Sequence, residues 1–93
     1  MAEVDDKFFD RAYAHIHLAN EQLATTSKGK VSASMMYGVA RFNAYISATQ
    51  FSSKEDLQNE KEEIIEYFLK SYKQMLHEHL DDYINSFEQY LSS

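Results

Sequence analysis

The chain has 93 residues and a formal net charge of −6, and 26% of its residues are charged. It contains no Cys, which excludes disulfides, thiolate metal sites and a Cys nucleophile. The absence of Pro and the presence of only two Gly disfavour the turns of a β-sheet, so we expect one all-α domain over residues 1–93.

The acidic surplus lies in the second half of the chain. Residues 1–53 contain five acidic and five basic side chains, whereas residues 54–93 contain ten acidic and four basic ones. Nucleic acids and anionic membranes both require a basic face, so neither is expected as a partner. The acidic face is interpreted as a solvated helix surface, and the alternative is a surface for a basic partner or a nucleic-acid mimic. The N-terminal sequence MAEVDDKFFD has no apolar stretch typical of export, which favours a cytoplasmic location.

The first helix is predicted from Lys7 to Thr25, with Asp5 or Asp6 as its cap. Its apolar stripe consists of Phe9, Ala12, Ile16, Ala19 and Leu23. Residues 25–30 form the clearest break in the pattern, and Gly29 is expected to end the first helix in a left-handed conformation.

The central segment, Val31 to Phe51, carries a single charged residue, Arg41. It is too polar for a membrane span, and Ser32 is its candidate N-cap. One side is an apolar stripe of Met35, Val39, Phe42, Ile46 and Thr49. The opposite side has the small residues Ala33, Ala40, Ala44 and Ala48. A surface helix normally keeps a charged face, so we infer a central helix that protein covers on more than one side.

A near-heptad pattern of apolar residues runs from Lys54 to Leu91, and Ser53 with Asp56 forms a capping-box-like start. As one helix this segment would be about 57 Å long, against about 30 Å for each of the other two. Its overhang would expose Tyr83, Ile84, Phe87 and Leu91.

Two arrangements would cover this overhang. The chain bends near Leu80–Asp82, with Asp81 capping a short fourth helix, or the helix stays straight and packs in a second subunit. The predicted fold is three long helices in an up-down bundle, the third long or bent into a short fourth helix. Self-association is expected in either case, because the uncharged central helix needs cover. Its interface candidates are Tyr37, Ala40 and Ala44, together with Tyr83, Ile84, Phe87 and Leu91.

Three segments resemble a family of small bacterial proteins known as domain of unknown function 3144. They are GKVSASMMYGVARFNAYISA (residues 29–48), FFDRAYAHIHLANEQL before it (residues 8–23) and LDDYINSFEQYL after it (residues 80–91). The resemblance covers nearly the whole chain. It implies a compact helical bacterial protein and carries no catalytic residue, ligand or cofactor with it.

Two histidine pairs could contribute to a metal site. His17 with Glu21 and His77 with Asp81 are each spaced i, i+4, which places both members on one helix face. Together the two pairs would form a ligand set that zinc accepts. The alternative is that these side chains face solvent.

Three basic residues are candidates for binding an anion. Arg41 either pairs with a carboxylate of a neighbouring helix or subunit or binds an anionic ligand. Lys28 and Lys30 precede a predicted helix N-terminus, which favours phosphate or sulfate, although they equally fit an ordinary basic turn.

The sequence shows no catalytic arrangement. It has no Ser-His-Asp order and no Gly-rich nucleotide loop, so we expect neither an enzyme nor a cofactor. We predict a non-enzymatic, homo-oligomeric interaction protein, for which an unidentified protein partner is left open. The alternative is a protein that binds a small anionic ligand or a metal. A pocket lined by Arg41 and Tyr residues would favour that alternative, and a flat apolar patch covered by a second subunit would favour the first function.

Overall fold

A computed structural model describes residues 4–91, and this part of the chain is all α-helical. The helices are α1 (Phe8–Gln22), α2 (Lys28–Ala48), α3 (Lys54–Asn85) and α4 (Phe87–Leu91). No proline interrupts them, and residues 4–91 contain no strand. The prediction of an all-α protein with three long helices, the third followed by a short fourth helix, is confirmed.

The chain divides into two compact units, residues 1–46 and residues 47–93. The first unit contains α1 and all of α2 except its last two residues, and the second contains α3 and α4. The single domain expected over residues 1–93 stays a prediction.

Helix α1 begins at Phe8, with Lys7 at the N-cap position. The prediction that Asp5 or Asp6 occupies the N-cap position of α1 is therefore wrong. Asp5 instead holds the turn before the helix, because its Oδ1 accepts a hydrogen bond from the Lys7 N–H (2.8 Å) and its carbonyl oxygen accepts one from the Phe8 N–H (3.1 Å). At the other end α1 stops at Gln22, three residues before the predicted end.

The break between α1 and α2 spans residues 23–27, and Gly29 lies in the first turn of α2. Gly29 has no positive φ, so the prediction that it ends the first helix is wrong. Ser27 caps α2 instead of Ser32: its Oγ accepts a hydrogen bond from the Lys30 N–H (3.4 Å) and its carbonyl accepts one from Val31 (3.1 Å). A glycine one residue inside a helix is tolerated when a serine satisfies the free N–H groups just before it.

Helix α3 starts where the sequence predicted. Ser53 has an extended backbone (φ −143°, ψ 154°), and its Oγ accepts a hydrogen bond from the Asp56 N–H at 3.1 Å. Glu55 and Asp56 add negative charge to the first turn, where the helix dipole favours it. The predicted cap is confirmed.

Helix α3 continues through Leu80–Asp82 without a break and ends at Asn85. The predicted bend at Leu80–Asp82, with Asp81 as a cap, is wrong, because no Gly or Pro weakens the helix there. The break falls at Ser86, whose N–H bonds to the Asp82 carbonyl oxygen at 3.0 Å. The short fourth helix exists, and it begins at Phe87.

Very little of the described chain is buried. Within residues 4–91, Val31 is the one buried hydrophobic residue, at 5% exposed, and no polar or charged residue is buried. All residues of α2 except Val31 are exposed or partly exposed. Helix α1, the other helix of the first unit, therefore does not supply the cover that we inferred for the central helix on more than one side.

Removing the α3 cap should destabilise the protein. Ser53→Ala leaves the Asp56 N–H without its acceptor, which costs about 1 kcal/mol for an N-cap. Urea unfolding, followed by circular dichroism at one fixed protein concentration, measures this loss. The matched control is Ser52→Ala, in the adjacent serine outside the cap position, and equal midpoints for the two variants would contradict the assignment.

Candidate interaction surface

The first candidate surface lies on α2 and consists of Tyr37, Ala40 and Ala44, which we call the central-helix surface. All three residues are exposed, and Tyr37 is 75% exposed. They share one side of the helix because their spacings of three and four residues match its turn. An exposed tyrosine ring beside two methyl groups forms a flat, uncharged face that a partner can approach closely.

Arg41 borders this surface and is also exposed. It makes no ion pair with any acidic residue between positions 4 and 91, whereas Arg11 does. The ion pair expected within the chain is not present among these residues. The pairing of Arg41 with a carboxylate of a second subunit stays a prediction.

The second candidate surface is formed by Tyr83, Ile84, Phe87 and Leu91, which we call the C-terminal surface. All four are exposed, from 46% for Tyr83 to 68% for Ile84. They belong to an unburied end of the second unit. The partly exposed residues of α3 are Leu57, Glu60, Ile64, Phe68 and Ser71, and every residue from 72 to 85 is exposed.

Helix α4 is attached to the end of α3 by side-chain contacts. The Tyr90 hydroxyl donates a hydrogen bond to Asp82 Oδ2 at 3.2 Å, and the Tyr83 and Tyr90 rings are 5.0 Å apart at a 60° angle. The seven-residue spacing of the two tyrosines follows the near-heptad pattern of the sequence, but that pattern does not reveal Asp82 as the acceptor. These contacts fix the position of Phe87 and Leu91 relative to Ile84 within the second unit.

An ion pair holds the turn before α1. Arg11 Nη2 lies 2.8 Å from Asp5 Oδ2, and Arg11 Nη1 lies 3.3 Å from Asp5 Oδ1. The hydrogen bonds from Arg11 and from the Lys7 backbone lower the pKa of Asp5. Since the folded pKa is lowered, this pair contributes stability above the unfolded pKa and loses it as the pH falls through the folded one.

Two carboxyl groups meet on α3. The hydrogen bond and charge of Glu63 raise the pKa of Glu60 above its ordinary value, because two carboxylates at close range cannot both ionise freely. Their i, i+3 spacing could have revealed this pair, which the sequence analysis did not single out. A raised folded pKa favours the folded state at low pH, and that contribution is lost as the pH rises through the folded pKa.

The metal candidates form one observed pair. His17 Nε2 lies 3.8 Å from Glu21 Oε2, as the i, i+4 spacing predicts, and both side chains are largely exposed. His77 and Asp81 are also exposed, one turn apart on α3. Over residues 4–91 no group of three or more His, Asp or Glu side chains is placed to hold a metal ion. The four-ligand zinc site, which requires the two pairs to meet, stays a prediction.

The basic candidates Lys28 and Lys30 lie inside the first turn of α2 and not in the loop before it. The Lys30 N–H already donates to Ser27 Oγ, so one of the free helix N–H groups is occupied. Both lysines are exposed. Anion binding at this turn stays a prediction.

The fold and these two surfaces define a small all-α protein whose helices display apolar faces. The chain belongs to the family described as Protein of unknown function (DUF3144), whose sequence profile matches residues 8–84. The resemblance inferred from the sequence is confirmed.

The chain is also similar to a protein of known structure, described as the NMR structure of the protein NB7890A from Shewanella sp. The two are 40% identical, with a TM-score of 0.78, and the match covers 96% of this chain and 95% of that one. A search of curated proteins gave no match. Of the helices between residues 4 and 91, none combines the length and the apolar character needed to cross a bilayer.

Neutralising Glu63 should lower the pKa of Glu60. In Glu63→Gln the like charge is gone and the amide N–H can donate a hydrogen bond to the Glu60 carboxylate, so its titration midpoint should move down to the ordinary range or below it. NMR titration of the Glu60 side-chain carboxyl carbon measures this midpoint.

The control for this titration is Glu66→Gln, which removes the same charge elsewhere on α3. It should leave the Glu60 midpoint in place. An unchanged midpoint in Glu63→Gln would show that Glu63 does not cause the raised pKa.

Proposed function

We propose that this protein is a non-enzymatic, homo-oligomeric interaction protein that acts through the central-helix surface and the C-terminal surface. The observation that carries the proposal is the burial of one hydrophobic residue, Val31, among residues 4–91. Folded chains are stabilised mainly by apolar surface that leaves water. A chain that displays its tyrosines, leucines and isoleucines this widely gains stability when another protein surface covers them.

The absence of buried polar groups favours a non-enzymatic role. Catalytic groups work in water-excluded sites, where burial shifts their pKa and strengthens their hydrogen bonds. Between residues 4 and 91 no polar or charged residue is buried. Apart from the partly exposed Glu60, the carboxylates and histidines of residues 4–91 are exposed, and solvent weakens such effects there.

The alternative function, binding of a small anion or a metal, has weaker support. Arg41, Lys28 and Lys30 are exposed side chains on α2, and His17 with Glu21 is a two-ligand pair on α1. A ligand site needs several converging polar groups within a cavity. None of the observations above raises this alternative over self-association.

We also propose a cytoplasmic location. The chain has no Cys, so its stability does not depend on disulfides that an oxidising compartment would maintain. Immunodetection in fractionated cells of the source organism tests this location.

The protein should be an oligomer in solution. Static light scattering at tens of micromolar should give twice 10.9 kDa or a higher multiple. The reason is the apolar area described above, which a second copy would remove from water. A mass of 10.9 kDa across this concentration range would overturn the proposed function.

A charge placed on the central-helix surface should weaken the oligomer. Ala44→Glu would bury an unpaired carboxylate at the interface, which raises the dissociation constant about a hundredfold or more. Sedimentation velocity over a dilution series measures the change.

The matched control is Ala14→Glu, the same substitution at an exposed alanine of α1. Its position on the charged side of α1, near Asp10 and Glu21, leaves it outside the proposed interface. Equal dissociation constants for Ala44→Glu and Ala14→Glu would show that the central-helix surface is not the contact.

A further inference from the structure

The two candidate surfaces carry opposite charges along their borders. Helix α2 has three basic residues, Lys28, Lys30 and Arg41, and no acidic one. Residues 72–91 have four acidic residues, Glu78, Asp81, Asp82 and Glu88, and one basic residue, Lys73. The formal charge is therefore +3 on the first segment and −3 on the second.

This distribution decides which surfaces should face each other in an oligomer. Packing α2 against a second α2 would bring like charges together, and so would packing two C-terminal surfaces. Packing α2 against the C-terminal segment of another copy brings opposite charges together, which favours one register and suppresses the others.

The lengths of the two segments are also compatible. Arg41 and Lys30 are separated by about 16 Å along α2, at about 1.5 Å per residue. Glu78 and Glu88 are separated by about 15 Å on the same measure, with the break at Ser86 between them. An antiparallel arrangement places Arg41 near Glu78 and Asp81, and it places Lys30 near Glu88.

We propose that α2 of one copy packs antiparallel against residues 72–91 of a second copy, with Arg41 beside Glu78 and Asp81 across the interface. The contact occurs twice in a symmetric dimer, since each copy supplies one α2 and one C-terminal segment. In this antiparallel register Tyr37 lies opposite Tyr83, and Ala44 lies opposite the exposed Leu76. This inference rests on the proposed self-association and specifies the surfaces that meet.

Charge-inverted variants test the pairing. Arg41→Glu turns attraction into repulsion at both equivalent contact sites of the dimer, so the dissociation constant should rise about tenfold. The double variant Glu78→Lys with Asp81→Lys should be weakened similarly. In a mixture of the two variants, the heterodimer regains attraction at both contact sites. Native mass spectrometry should therefore show a heterodimer fraction well above the half that random pairing of equal amounts gives.

Two controls separate this arrangement from the alternatives. Lys70→Glu makes the same change of charge at an exposed position of α3 outside residues 72–91 and should alter the dissociation constant less than twofold. Mixing Arg41→Glu with the wild-type chain should give no enriched heterodimer. Enrichment in that mixture would indicate that α2 packs against α2, and a statistical mixture of the two charge-inverted variants would also overturn the proposal.

The unmodified protein provides a second measurement that does not depend on the folding of the variants. In dimers of one isotope-labelled and one unlabelled chain, filtered NMR spectra should show intermolecular contacts from the Ala44 methyl group to Leu76. Intermolecular contacts from Ala44 to Tyr37 or Ala40 instead, or contacts to Leu76 within one chain alone, would overturn the proposed packing and leave self-association intact. A monomer mass in light scattering would overturn both.

Discussion

The exposure of apolar side chains is the constraint on which the rest of this structure depends. Between residues 4 and 91 the chain forms three long helices and a short one, yet it removes one hydrophobic residue, Val31, from water. Isolated helices are marginal in water, and tertiary packing provides most of their stability in proteins. The helices therefore require a cover for their apolar faces, and this requirement gives Tyr37, Ala44 and Ile84 their importance.

Charge determines which cover is suitable. Helix α2 carries bases alone, whereas α3 carries most of the acidic surplus, including the Glu60–Glu63 pair in which one carboxyl group raises the pKa of the other. A surface without charge is open to many partners, but charged borders restrict the choice by penalising like-sign contacts. Arg41 is such a charged border residue on α2, next to a surface that is otherwise neutral.

The helices and one of their caps could be predicted from the sequence because these features are local. The absence of proline, the apolar periodicity and the Ser53–Asp56 spacing are all readable without knowledge of distant contacts. Gly29 was misassigned because glycine ends many helices but is also tolerated in a first turn, and the deciding residue was Ser27. The break at Ser86 was predicted too early for a similar reason. In the sequence, Asp81 is a good candidate for a helix cap, and Ser86 is a weak helix former, so either position could have ended the helix.

The surface contacts were predictable only in part. The interface candidates on α2 and at the C-terminus follow from hydrophobicity alone, and the structure shows them exposed. The pairing of Tyr90 with Asp82 and of Arg11 with Asp5 depends on backbone turns that no periodic pattern describes. Long side chains reach across such turns once the backbone is fixed, and sequence spacing does not reveal this.

The attachment of α4 has a consequence for the population of conformers. An exposed hydrogen bond contributes about 0.5 kcal/mol and an aromatic pair about 1 kcal/mol, so the Tyr90 contacts together favour the attached position by about 1.5 kcal/mol. This corresponds to roughly one molecule in ten with α4 released at any moment. A partner that binds Phe87 and Leu91 selects the attached majority, so this equilibrium lowers the apparent affinity by about a tenth. Substitutions of Tyr90 would increase the released fraction, and they would lower the affinity further without changing a residue that touches the partner.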